Sequence, residues 1–92
     1  RAIETFEKSA QAGRPTRVRV RAVEGLGARK AQAKLLPFVD DGSYQVRMAA
    51  ADAMGECGDS VSADVLERRL KLEVDGQLIQ SMRRAVRKIR SR

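Results

Sequence analysis

The sequence predicts an all-α fold, an α-solenoid of about three antiparallel helix pairs in a single domain over residues 1–92. Three observations predict it. A short segment returns along the chain, and its apolar residues fall at helical spacing. The apolar 42% is supplied mainly by alanine and aliphatic side chains, with Phe6, Phe38 and Tyr44 as the only rings. Alanine, leucine, arginine and glutamate favour helix, and the β-branched residues are too scattered to alternate as strands do.

The repeat is read by laying one stretch over another. Val18-Arg19-Val20-Arg21-Ala22-Val23-Glu24-Gly25-Leu26-Gly27 matches Val46-Arg47-Met48-Ala49-Ala50-Ala51-Asp52-Ala53-Met54-Gly55 at an offset of 28. A third copy follows at an offset of 32, where Leu78, Met82, Ala85, Val86 and Ile89 fall under Val46, Ala50, Ala53, Met54 and Cys57. It is degenerate and ends in charge, as terminal repeats do. Ile79 stands there in place of Arg19 and Arg47. In the middle copy Val46, Ala49, Ala50, Ala53, Met54 and Cys57 form one continuous apolar stripe of a helix.

A second helix precedes or separates each copy. The first covers residues 2–12 and carries Ile3, Phe6 and Ala10, with Glu4 paired with Lys8. Gly13-Arg14-Pro15 ends it and starts the next helix. The second covers 29–38, carries Ala31, Leu35, Leu36 and Phe38, and is kinked or finished by Pro37. Asp40-Asp41-Gly42-Ser43 is a turn with a cap. The third covers 62–73 and carries Val65, Leu66, Leu70 and Leu72, with Ser60 or Ser62 as N-cap and Glu67 paired with Lys71. Asp75-Gly76 echoes Asp41-Gly42 and leads into a last helix over 77–90. Each pair leaves an apolar side that only a neighbouring pair can cover, so the pairs stack. Because helix is under way from residue 2, the chain reads as a fragment of a longer polypeptide. Its uncapped apolar end, near Ile3 and Phe6, is expected to face the rest of that parent.

Leu35-Leu36, Asp40-Asp41 and the segment from Val46 to Gly55 resemble the HEAT repeat, particularly its short lyase-type variety. The resemblance covers nearly the whole chain. In that family an Asp in the turn lies six residues before an Arg in the second helix, which is the spacing of Asp41 and Arg47. The resemblance implies a hydrogen-bonded ladder between neighbouring repeats. Arg19 holds the same place in the first copy, where no partner Asp precedes it. Gly13-Arg14-Pro15-Thr16-Arg17-Val18-Arg19, with Val74-Asp75-Gly76-Gln77-Leu78 and an Arg-rich last helix, is similar to the C-terminal repeat region of some bacterial aminopeptidase N-type zinc metallopeptidases. That similarity implies a tail module without the zinc site.

Composition narrows the chemistry. With no His and only Cys57, a His-paired nucleophile, an H-E-x-x-H zinc site and a Cys/His zinc site are excluded. Gly25-Leu26-Gly27 lacks the Lys-Ser/Thr of a phosphate loop. Asp40/Asp41 fit turn chemistry, and Asp52/Glu56 fit a solvated helix face. No catalytic residue, metal or cofactor is expected. No apolar run approaches the roughly 18–20 residues of a membrane span, so a soluble, cytoplasmic chain is expected.

The formal charge of +7 is uneven. Residues 1–46 hold nine basic against five acidic side chains, 47–76 hold four against seven, and 77–92 hold six against none. In the last helix Arg83, Arg84, Arg87 and Arg90 fall at i, i+1, i+4 and i+7, a basic stripe and candidate binding surface. The leading expectation is a non-enzymatic scaffold that packs on a sister domain or partner protein. The alternative is a nucleic-acid-binding module using that stripe.

Overall fold

Every regular element of the computed structural model, which describes residues 2–11 and 13–92, is helical. Helix α1 spans Ala2–Ala10 and α2 spans Thr16–Ala28. Helix α3 is a single turn, Gln32–Leu35, that runs into a 3₁₀ helix at Leu36–Asp40. Helix α4 spans Tyr44–Cys57, α5 Ser60–Leu70 and α6 Gly76–Arg90.

The boundaries follow from caps. Ser43, Asp59 and Asp75 each accept a hydrogen bond from an amide in the first turn of α4, α5 and α6, supplying a partner that the helix itself cannot. Helix α2 stops because Lys30 turns left-handed at φ 55. The Ala31 amide then reaches the Leu26 carbonyl, and the Lys30 amide reaches that of Gly27. This is the Schellman closure, here with Lys where Gly is usual.

Two expected helices differ. The helix expected over 29–38 becomes one α-turn plus a 3₁₀ turn. Lys30 breaks its start, and Pro37 has no N–H to continue an α-ladder and its ring would meet the carbonyl four residues back. The helix expected over 62–73 begins at Ser60 and ends at Leu70. Its N-cap is Asp59 rather than Ser60 or Ser62: the Asp59 carboxylate accepts the Val61 amide at 2.9 Å, which leaves Ser60 as the first residue inside the helix. Ser62 is instead buried, and its hydroxyl donates to Gln32 Oε1. Beyond Leu70 the chain leaves the helix, so Leu72 and Val74 point to solvent while Glu73 turns inward. Glu67 pairs with Arg90 rather than with Lys71. Ala12, at the end of the first expected helix, lies outside the described residues.

The helices form two rows. Helix α4 packs between α2 and α6; α1 lies on α2, α5 on α6, and the 3₁₀ helix on α4 and α5. Leu26, Leu35, Met54, Leu66, Leu78 and Met82 fill the space between the rows and are fully buried. The inner row is tight because its contact positions are small. A Cβ at Gly27 would come within 2.7 Å of the Ala53 Cβ, and one at Gly55 within 3.2 Å of the Ala85 backbone. Small residues at the contact positions let neighbouring helices approach closely.

Gly27→Ala therefore tests the packing directly. Helix propensity alone would favour alanine by about 1 kcal/mol. The clash with Ala53, which has no rotamer to yield, is expected to outweigh that and destabilise by about 1–3 kcal/mol. Gly42→Ala, where a new Cβ meets nothing within 4 Å, is the control and should be neutral. Urea unfolding of both variants measures the difference.

Candidate functional site

A chain of arginines and carboxylates runs between the two rows along the loop edge. Arg19, nearly buried on α2, donates through Nε to the Ala10 carbonyl at 2.8 Å. Its guanidinium pairs with the Asp41 carboxylate. The other oxygen of Asp41 accepts the Ser43 amide at 2.8 Å. The Asp41 backbone carbonyl accepts Arg47 Nη1 at 2.7 Å. Arg47 then holds Glu73 with two bonds, Nε to Oε2 at 3.1 Å and Nη2 to Oε1 at 3.3 Å. Arg69 adds a third bond to Glu73, at 3.0 Å, and reaches on to Asp40.

Each rung thus joins one copy of the repeated helix to the turn of the next: Arg19 to Asp41, and Arg47 to Glu73. The contact between Asp41 and Arg47 themselves runs through the Asp41 backbone, because its carboxylate is taken by Arg19. Glu73 was not singled out from the sequence. The signal was present, since Glu73 lies 32 residues after Asp41, in the register of the third copy. The more conspicuous Asp75-Gly76 echo of Asp41-Gly42 lies two residues out of that register. Asp75 is instead the counterpart of Ser43, and both are N-caps. The ladder stops at Ile79, which has no guanidinium to offer.

Burial works against ionising Asp41. The hydrogen bonds from Arg19 and the Ser43 amide, with the charges of Arg19 and Arg47, outweigh it and hold the carboxyl below its ordinary 3.8. A carboxyl depressed on folding contributes stability above its unfolded value, and that contribution fades as pH falls toward the folded one.

The inner row carries the other candidate surface. By repeat register, Glu24, Asp52 and Arg84 fall in one line across α2, α4 and α6, and Ala28, Glu56 and Lys88 in the next. Grooves between neighbouring helices join them. One of about 260 Å³ is lined by Glu24, Gly27, Ala28, Ala49, Asp52, Ala53 and Glu56. Its neighbour brings Asp52 and Glu56 against Arg84 and Lys88. Burial raises the Asp52 pKa; Glu24 and Glu56 push the same way, and Arg84 and Lys88 oppose them.

The basic stripe of α6 is divided by this geometry. Arg84 faces Asp52 in the groove. Arg90 is held by Asp64 at 2.9 Å and Glu67 at 2.6 Å. Arg83 and Arg87 are exposed and make no ion pair among the described residues. Among the described residues no group of His, Cys, Asp and Glu is arranged to hold a metal ion, and no helix is long and apolar enough to cross a membrane.

Glu73→Ala leaves Arg47 and Arg69 facing a half-buried gap and is expected to cost about 3 kcal/mol. Asp40→Ala, at the solvated end, should cost under about 1 kcal/mol. Denaturant midpoints compare them. On acidification, stability should fall as pH drops through and below 3.8, and Asp41→Asn should flatten that part of the profile.

The model of the HEAT repeats matches residues 3–87. No curated protein and no solved structure matches the chain. With laterally packed helices, a repeated Arg–acid rung and a family match over nearly its whole length, the chain belongs to the HEAT repeat family.

Proposed function

We infer that this chain is a protein-interaction scaffold with no catalysis of its own, which offers the grooved face of α2, α4 and α6 to a partner protein or sister domain. The observation that carries the reading is the charge row on that face. Glu24 and Asp52 stand side by side over an alanine and glycine floor, with Arg84 beyond them. Such a face is rigid and sorts partners by charge pattern. The ladder behind it keeps the three helices in register. HEAT repeats generally serve as scaffolds, and the lack of any His leaves few routes to acid–base chemistry at neutral pH.

The same charges weigh against the nucleic-acid reading. A phosphate backbone laid along α6 would meet Arg90 already engaged with two carboxylates. Laid across the inner row, it would meet Glu24, Asp52 and Glu56. The similarity to the tail of aminopeptidase N-type enzymes names one candidate for a sister domain. Its test is the coding sequence upstream of Arg1, where an H-E-x-x-H helix is required.

A photo-crosslinking residue at Ala28, exposed at the groove, tests the interaction reading in cells. One discrete adduct is expected, lost when Glu24 and Asp52 are both changed to Lys. An adduct that survives the double change, or none at Ala28, would defeat the assignment to this face. A short DNA duplex at low salt should show no gel shift with the purified chain.

A further inference from the structure

The three copies of the repeated helix act as internal controls for burial. In α4, Val46 and Ala53 lie one heptad apart and share a face. That face meets α2, since Ala53 sits against Gly27 and Val46 is fully buried. In α6, Leu78 and Ala85 do the same toward α4, with Ala85 against Gly55 and Leu78 fully buried. The corresponding residues of α2 are Val18 and Gly25. Val18 is 40% exposed, against 0% for Val46 and for Leu78. The atoms nearest a Cβ at Gly25 belong to the Phe6 ring. The side of α2 that in the other copies meets the preceding helix is thus open, with the Phe6 ring leaning over Gly25. A groove of about 210 Å³ remains there, lined by Phe6, Ser9, Val18, Arg21 and Ala22. Ile3 and Phe6 are each half-buried.

The opposite end is closed. Gly27 and Gly55, which receive an alanine of the following helix, correspond to Arg87 in the third copy. Val23 and Ala51, both fully buried, correspond to Arg83, which is exposed. A further helix cannot approach closely over these two arginines without burying their charge.

The open side also differs chemically from the buried copies. Arg21 stands where α4 and α6 have the buried Ala49 and Ser81. Arg17 lies one turn before it. Both are exposed and carry no ion pair among the described residues. A second copy stacked head to tail would bring Arg83 and Arg87 onto Arg17 and Arg21, so like charges oppose self-stacking.

We propose that the open face of α2 docks an acidic amphipathic helix of a partner protein. Its apolar side chains enter the Phe6–Val18 groove, and its carboxylates pair with Arg17 and Arg21. This rests on the interaction-module reading and adds a second surface to it, with a partner chemistry of its own. The arrangement is a helix in a groove, with apolar anchors supplying affinity and flanking charge supplying selectivity.

The probe is a synthetic amphipathic helix of roughly 18 residues, long enough to hold helical structure, with a leucine and alanine face flanked by Glu. Binding to the full chain is followed by amide chemical shifts. Shifts should concentrate at Phe6, Val18, Arg21 and Ala22, and added salt should weaken binding. Arg21→Glu should weaken it about tenfold, and Val18→Glu should abolish it. Arg87→Glu at the closed end should leave it unchanged. The proposal is overturned if the same peptide with Lys for Glu binds equally well, or if the shifts fall on Glu24 and Asp52 instead. Concentration-dependent dimerisation of the chain in sedimentation, reversed by Val18→Glu, would assign the face to a second copy and also overturn it. Crosslinking at Ala28 is independent of Val18, so loss of this surface leaves the inner-row reading standing, and the reverse also holds.

Discussion

Close approach of three helices is the constraint on which the rest depends. A chain of this size with only three rings has few large side chains with which to fill a core. Bulk is therefore replaced by proximity. Gly27 against Ala53 and Gly55 against Ala85 bring the helices of the inner row together until the aliphatic side chains behind them interlock. Dispersion falls off steeply with separation, so even a radial gap of about 0.5–1 Å would forfeit a quarter to a half of each contact. Leu26, Met54, Leu78 and Met82 are fully buried because nothing larger than a methyl group holds α2, α4 and α6 apart at these contacts.

Apolar packing of that kind is weakly specific, since alanine faces slide on one another at little cost. The Arg–acid ladder supplies what packing lacks. Arg47 grips Glu73 with two bonds of fixed geometry, and Arg19 holds Asp41 while also tying down the end of α1. A buried ion pair adds little net stability over a well-packed apolar pair of the same shape, because desolvation offsets much of the attraction. Its effect lies in the alternatives. A slip of one helical turn between copies would strand Glu73 and Arg47 in the gap between the rows without partners, at a cost of several kcal/mol. Among the described residues no buried side-chain nitrogen or oxygen lacks a hydrogen-bond partner, which holds for this register.

The parts of the structure legible in sequence are those governed by period. The stripe from Val46 to Cys57 and its counterparts in α6 follow the 3.6-residue repeat, and Leu78, Met82, Ala85, Val86 and Ile89 are all buried. Arg19, Asp41 and Arg47 could be picked out because their spacing is a motif. What escaped was decided by competition between local options. Three polar residues within four positions, Asp59, Ser60 and Ser62, could each cap α5, and only the geometry of the Val61 amide selects Asp59. Leu72 sits on the helical stripe but loses its place when Glu73 is drawn to Arg47 and Arg69, so a long-range ion pair overrides local pattern. The Phe6 ring over Gly25 had no sequence signal, because it depends on how α1 crosses α2.

Net charge, taken alone, would assign this protein a polyanionic partner. Placement argues otherwise. Arg19, Arg47 and Arg69 belong to the framework and are unavailable to any ligand. Lys88 and Arg90 are tied to carboxylates on neighbouring helices, and Arg92 donates to the Gly55 and Gly58 carbonyls at the end of α4. The Gly55 and Gly58 carbonyls are the negative end of a helix dipole, so that cation is also spent internally. Arg17 and Arg21 at one end and Arg83 and Arg87 at the other are exposed and carry no ion pair among the described residues, and an acidic strip at Glu24, Asp52 and Glu56 lies between them. A uniform polyanion cannot follow that alternation without meeting its own charge. A folded protein surface can, because its charges are set out as discretely as these.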